Sequence, residues 1–202
     1  MAYQEREIKF YIQDLPALAE RLYICGADLT RERTLERNYM LDTEDWRLRN
    51  TGSLLRLRQD DRARVTFKEK TRVENGIRAR TEIEFTVDSF AVARKLFEAL
   101  GYHSTLIYEK YRVVYRLGDV EVTLDELPFG NFVEIEGPSN ALIEGVAQML
   151  GLDWSKGIAI NYLGLFEAGR SKLGLSFNDL TFENFQEIEV LPRDLGVDPA
   201  DV

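Results

Sequence analysis

Four residues into the chain, the stretch EREIKF sets Glu5, Glu7 and Lys9 at alternate positions. In an extended strand, alternate side chains share one face, so two carboxylates and an ammonium would stand together. The same spacing recurs in six later segments rich in strand-forming residues. Arg56 and Arg58 lie in LLRLRQD, Lys68 and Lys70 in VTFKEK, and Arg80, Glu82 and Glu84 in RARTEIEFTV. Lys110 and Arg112 follow in EKYRVVYRLG, then Glu121, Thr123 and Asp125 in VEVTLDE, and Glu134 and Glu136 in NFVEIEG. Paired arginines and lysines suit an anion rich in oxygen, and paired carboxylates suit a hard cation. Buried in a core, either set is costly unless each charge meets a partner, ligand or metal.

The opposite parity of these segments is apolar: Leu55, Leu57, Phe67, Ile83, Phe85, Val120, Val122, Leu124, Val133 and Ile135. One wet face on an antiparallel sheet accounts for any single strand. It accounts less well for seven, because Arg/Lys pairs and Glu pairs occupy whole strands. A sheet curled into a barrel with an ion-filled lumen explains that segregation. Three segments carry apolar stripes at helical spacing: Leu15 to Cys25, ending before Gly26; Ser89 to Leu100, ending before Gly101; and Ser139 to Leu150, ending before Gly151. They are expected to pack on the outer, apolar face. Turns are expected at Asn50 to Gly52, Val73 to Gly76 and Leu117 to Asp119.

The chain has 202 residues, 45% of them hydrophobic, and shows neither a linker nor a repeat of 20 to 50 residues. The net charge of −9 argues against a nucleic-acid surface. No apolar run reaches the ~18 residues of a membrane span, and the N-terminus lacks a secretory pattern, so a cytoplasmic protein without a membrane partner is expected. The single cysteine, Cys25, reads as a packed thiol, and the single histidine, His103, as a surface or helix-terminal residue. No Ser/His or Cys/His constellation is credible.

The ordered motifs resemble the CYTH superfamily of triphosphate tunnel metalloenzymes, which includes class IV adenylyl cyclases, thiamine triphosphatases and inorganic triphosphatases. Glu5, Glu7 and Lys9 match its ExExK signature. Asn38 to Arg58 is similar to its tyrosine-aspartate strand followed by LRxR, and VTFKEK, RTEIEF, EKYRVVY and Val122 to Gly137 resemble the strands after it. NYLGLF (Asn161 to Phe166) resembles the terminal motif, with Asn161 where the family often has serine. The resemblance covers residues 1–168.

It implies an α+β fold: a closed antiparallel eight-stranded barrel with helices outside, holding a triphosphate and Mg²⁺ or Mn²⁺. Strand by strand, it implies Glu5, Glu7, Asp125, Glu134 and Glu136 as metal carboxylates, with Glu82 and Glu84 either joining them or holding basic neighbours. Lys9, Arg56, Arg58, Lys68, Lys70, Arg80, Lys110 and Arg112 become the phosphate ligands. Glu5, Glu7, Lys9, Glu134 and Glu136 make up the catalytic set. The expected substrate is inorganic triphosphate, thiamine triphosphate or ATP. Hydrolysis is favoured over cyclisation of ATP to cyclic AMP, because no stretch of sequence identifies an adenine site. Either a monomer or a homodimer is compatible with a barrel lacking sheet edges. Residues 169–202 fall outside the resemblance; Phe177, Leu180, Phe182 and Phe185 could form an apolar stripe, and the acidic end from Asp198 is expected to be loose.

Overall fold

The computed structural model describes residues 2–74 and 77–202, with side chains described except at residues 2–5, 74 and 78. Among the described residues, nine strands form one antiparallel sheet: β1 (Ala2–Ile12), β2 (Asp28–Asp42), β3 (Leu54–Gln59), β4 (Ala63–Lys68), β5 (Arg72–Glu74), β6 (Ile77–Val87), β7 (His103–Leu117), β8 (Val120–Leu127) and β9 (Gly130–Glu136). Their order is β1-β9-β8-β7-β2-β3-β4-β6-β5, and β1 also pairs with β6. That last pairing closes eight strands into a ring. The short β5 extends the β6 edge beyond β4, pairing at Ala79, Arg78 and Ile77. The expected turn from Val73 to Gly76 lies partly outside the described residues.

Strand alternation divides the residues as their chemistry requires. On β1, Ile8, Phe10 and Ile12 point outward and are buried, together with Val122, Leu124, Val133 and Ile135, against α1 (Leu15–Ile24) and α4 (Asn140–Met149). Asp14 and Ser139 cap these helices by accepting from the Ala17 and Leu142 amides, which satisfies donors that a first turn leaves open. A second outer core joins Leu41, Leu55, Leu57 and Val65 to Leu48 of α2 (Arg47–Thr51) and Ala93 of α3 (Phe90–Ala99). The stripe of α3 is only partly covered. Val92, Leu96 and Leu100 are exposed, as are Ile83 and Phe85 on β6.

A third core packs beside one end of the ring. Here α5 (Tyr162–Leu173) sets Tyr162, Leu165 and Phe166 against Met40, Tyr108, Phe129 and Phe132. Leu180, Phe185 and Leu195, the last from α6 (Pro192–Leu195), belong to the same cluster. Leu180 bridges to Tyr108, and its carbonyl accepts from the Glu109 amide at 2.9 Å. The acidic end, expected to be loose, is anchored instead. Ala200 is buried and donates to the Tyr11 carbonyl, while Asp201 accepts from the Gln13 and Asp14 amides. Hydrogen bonding to an open stretch of β1 outweighs the fraying expected of a terminus.

Candidate active site

The inward parity of the ring is charged. A lumen cavity of about 180 Å³ is lined by Lys9 from β1, Arg56 and Arg58 from β3, Lys68 from β4, Arg80 from β6, and Lys110 and Arg112 from β7. Glu7, Glu82, Glu84, Glu121, Glu134 and Glu136 line it as well. The carboxylates are concentrated where β8, β9 and β1 adjoin. In register, Glu121 faces Glu136, which faces Glu7, and one step along, Thr123 faces Glu134, which faces Lys9. Adjacent carboxylates on neighbouring strands repel unless something positive stands between them.

Most charges already have partners. Arg112 donates to Asp125 at 2.6 Å and also to Glu134. Lys9, 1% exposed, lies 3.4 Å from Glu134 and 3.9 Å from Glu7, with its ammonium over the Tyr162 ring. Burial pushes the Glu134 carboxyl up, but the charges of Lys9, Arg112 and Lys110 outweigh it and hold the group well below the usual carboxylate range. Burial likewise opposes the charge on Arg112, and Asp125 and Glu134 overcome it.

Asp125 is fully buried. Its carboxylate accepts from Lys110, Arg112 and the Tyr162 hydroxyl, and it does not line the cavity. The geometry thus presents it as an anchor for two cations. Glu82 pairs with Lys68 at 2.6 Å, and Glu84 accepts from the Thr66 hydroxyl near Arg56 and Arg58. Both thus stand beside basic neighbours. Lys70 lies beyond β4, is exposed, and packs its stem by Gly52 rather than lining the lumen. The Glu5 side chain lies outside the described residues; its backbone pairs with Arg80.

The sequence reading passed over Glu36, Asn38 and Tyr162. Glu36 is completely buried, 3.2 Å from Arg31, 3.4 Å from Arg58 and 3.9 Å from Lys110. Burial pushes its carboxyl up; Lys110, Arg112, Arg58 and Arg56 more than offset this and bring it to about 2. Asn38, also buried, has neither amide atom hydrogen-bonded. Period two on β2, which puts Glu36, Asn38 and Met40 on one parity, was the available signal. Tyr162 is set by the N-cap of α5, where Asn161 accepts from the Gly164 amide.

The fold is thus a closed antiparallel ring whose lumen is lined by cations, with Glu7, Glu121, Glu134 and Glu136 adjoining on β1, β8 and β9. The CYTH domain model matches residues 3–148, and the chain belongs to that family. A Methanocaldococcus jannaschii protein named "putative adenylate cyclase" is 29% identical over 134 residues, which cover 65% of this chain and 75% of that protein. A Vibrio parahaemolyticus structure bearing the same description superposes with a TM-score of 0.69 at 19% identity, covering 78% of this chain and 94% of the other. A Hippeastrum structure, described as a "putative adenylyl cyclase" that "reveals a dominant" triphosphatase activity, gives 0.58 at 18% identity over 96% of this chain and 100% of its own.

Among the described residues, no three acidic or histidine side chains converge into a ready-made cation site. The donor set still fits a hard divalent ion. Such an ion takes one or two carboxylates and completes its shell with water and substrate phosphate oxygens. Glu7 and Glu136, directly paired across β1 and β9, with Glu134 beside them, meet that need.

Proposed function

We propose that the protein is a divalent-metal-dependent hydrolase of a triphosphate chain held in the ring. The observation that carries this reading is the convergence of Lys9, Arg56, Arg58, Lys68, Arg80, Lys110 and Arg112 on one lumen in which Glu7, Glu121, Glu134 and Glu136 adjoin on β1, β8 and β9. The arginines offer planar forks to phosphate oxygens and the lysines offer point charges. Together they fix the chain's position and stabilise charge on the phosphoryl oxygens. Arg112 is held by Asp125 and Glu134, and Arg56 donates to the Tyr108 hydroxyl and to Thr66, so these donors are aimed before substrate arrives.

Glu7, Glu134 and Glu136, with Glu5, would hold Mg²⁺ or Mn²⁺, which when bound supplies charge neutralisation and a more acidic water. Glu134, kept ionised by Lys9, Arg112 and Lys110, would remain a carboxylate able to accept a hydrogen bond from a water beside the phosphate chain. No protein nucleophile is required.

The names of the Methanocaldococcus and Vibrio proteins favour a second reading, in which the ribose 3′-hydroxyl of ATP attacks the α-phosphorus and releases pyrophosphate. No helix among the described residues is long and apolar enough to cross a membrane, which is compatible with the proposed cytoplasmic site of action.

Orthophosphate release from inorganic triphosphate should stop in excess chelator and return with Mg²⁺ or Mn²⁺. Glu134→Gln combined with Glu136→Gln should abolish it while the fold survives. Full turnover in chelator, or unchanged activity in the double variant, would defeat the proposal.

A further inference from the structure

Strands alone do not complete the wall of the ring. Pairing between β7 and β8 runs from Tyr111 to Leu117, whereas β2 accompanies β7 from His103 to Arg116. Before Tyr111, the β8 side of β7 therefore has no strand beside it among the described residues. Buried backbone groups on such an edge are costly unless they find partners. The C-terminal segment supplies them. The Leu180 amide donates to the Ile107 carbonyl at 2.8 Å, and the Leu180 carbonyl accepts from the Glu109 amide at 2.9 Å, a parallel bridge centred on Tyr108. Asp179 accepts from the Ile107 amide at 2.8 Å, and Glu109 accepts from the Phe182 amide at 3.1 Å. This segment lies beyond the domain match, which ends at residue 148.

Tyr108, bracketed in this way, shares the inward parity of Lys110 and Arg112 and lines the lumen. Its hydroxyl accepts from Arg56 Nη1 at 3.2 Å. On the other arm of the guanidinium, Nη2 donates to the Thr66 hydroxyl at 3.2 Å and lies 3.8 Å from Glu84. Nε is buried and has no hydrogen-bond partner among the described residues. The guanidinium is thus held at two points, and Tyr108 is the one that sets Nη1. A planar donor fork meets phosphate oxygens in pairs only when its plane is correctly turned.

We propose that the C-terminal segment around Asp179 and Leu180 is a working part of the lumen site: it fixes Tyr108 on β7, and Tyr108 in turn orients Arg56 toward the phosphate chain. The inference rests on the reading of the lumen as a triphosphate site. Asp179 does not line the lumen, so it acts as a positioning residue, two hydrogen-bonding steps away from the guanidinium.

Binding is measured by calorimetry with Mg²⁺ and non-hydrolysable, methylene-bridged analogues of inorganic triphosphate and ATP, at a temperature where every variant is folded. Tyr108→Phe keeps the buried ring and should weaken the tighter analogue about 3- to 10-fold, the scale of one hydrogen bond. In an Arg56→Ala background the same change should matter less than about 2-fold, since the group it orients is gone. Asp179→Ala should also weaken binding, should add little to Tyr108→Phe, and should be rescued by Asp179→Asn, whose amide oxygen can still accept from Ile107. A purely structural segment would instead lower the unfolding midpoint and leave the affinity of the folded protein unchanged. That result for Asp179→Ala, wild-type binding by Tyr108→Phe, or effects of the two changes that multiply would overturn the inference while the tunnel reading stands. If neither analogue binds the wild-type protein, the tunnel reading fails and the inference falls with it.

Discussion

Replacing Glu36 with glutamine keeps the shape of a fully buried side chain and removes its charge. The carboxylate lies 3.2 Å from Arg31, 3.4 Å from Arg58 and 3.9 Å from Lys110. Its folded-state pKa of about 2, against an ordinary 4.5, shows that the basic cluster favours the ionised form despite burial. A shift of that size corresponds to about 3 kcal/mol between charged and neutral forms, so Glu36→Gln should destabilise the protein by about that much at pH 7. Because the folded pKa is depressed, this stability is fully present above 4.5 and is lost as pH falls toward 2. At pH 3 the gap between wild type and variant should shrink to about 1.4 kcal/mol. Urea unfolding of both proteins at the two pH values measures it directly. A loss below about 1 kcal/mol at pH 7, or a gap that does not change with pH, would refute the argument that Glu36 neutralises the basic wall.

Asp125→Asn should cost about 3 kcal/mol of stability, because Lys110 and Arg112 lose a buried counter-ion; it should also lower kcat/KM for triphosphate on the order of 10- to 100-fold. Denaturant unfolding and steady-state kinetics check the two effects separately. Leu180→Ala removes a completely buried side chain where the C-terminal stretch crosses β7, and should cost about 2–5 kcal/mol, read as a lower denaturation midpoint.

The ring was legible because period two is a strong signal when one parity is charged and the other apolar. Ile8, Phe10 and Ile12 against Glu7 and Lys9 fix which face of β1 turns inward, and the same contrast repeats around the sheet. Helices α1, α3 and α4 could be read from their apolar stripes and the glycines that follow each of them. The pairing of charges inside the lumen was not legible. Asp125 and Glu134 are equally acidic in sequence, yet only register and the arrival of Tyr162 from α5 turn Asp125 into a saturated anchor. Lys70 follows the parity of Lys68 in sequence, but β4 ends between them, so the alternation no longer governs where it points.

The measurement closest to the central claim is product analysis. The protein is incubated with Mg²⁺ or Mn²⁺ and, separately, with ATP, thiamine triphosphate and inorganic triphosphate, and the phosphorus-containing products are resolved. Attack by water at the terminal phosphorus yields orthophosphate and a chain shortened by one phosphate. Attack by the ribose hydroxyl at the α-phosphorus yields a cyclic nucleotide and pyrophosphate. With the phosphate chain held by the arginines and lysines of the lumen, orthophosphate should be the dominant product from at least one of the three substrates. Cyclic AMP and pyrophosphate as the main products from ATP, with little orthophosphate from any of the three substrates, would contradict the account.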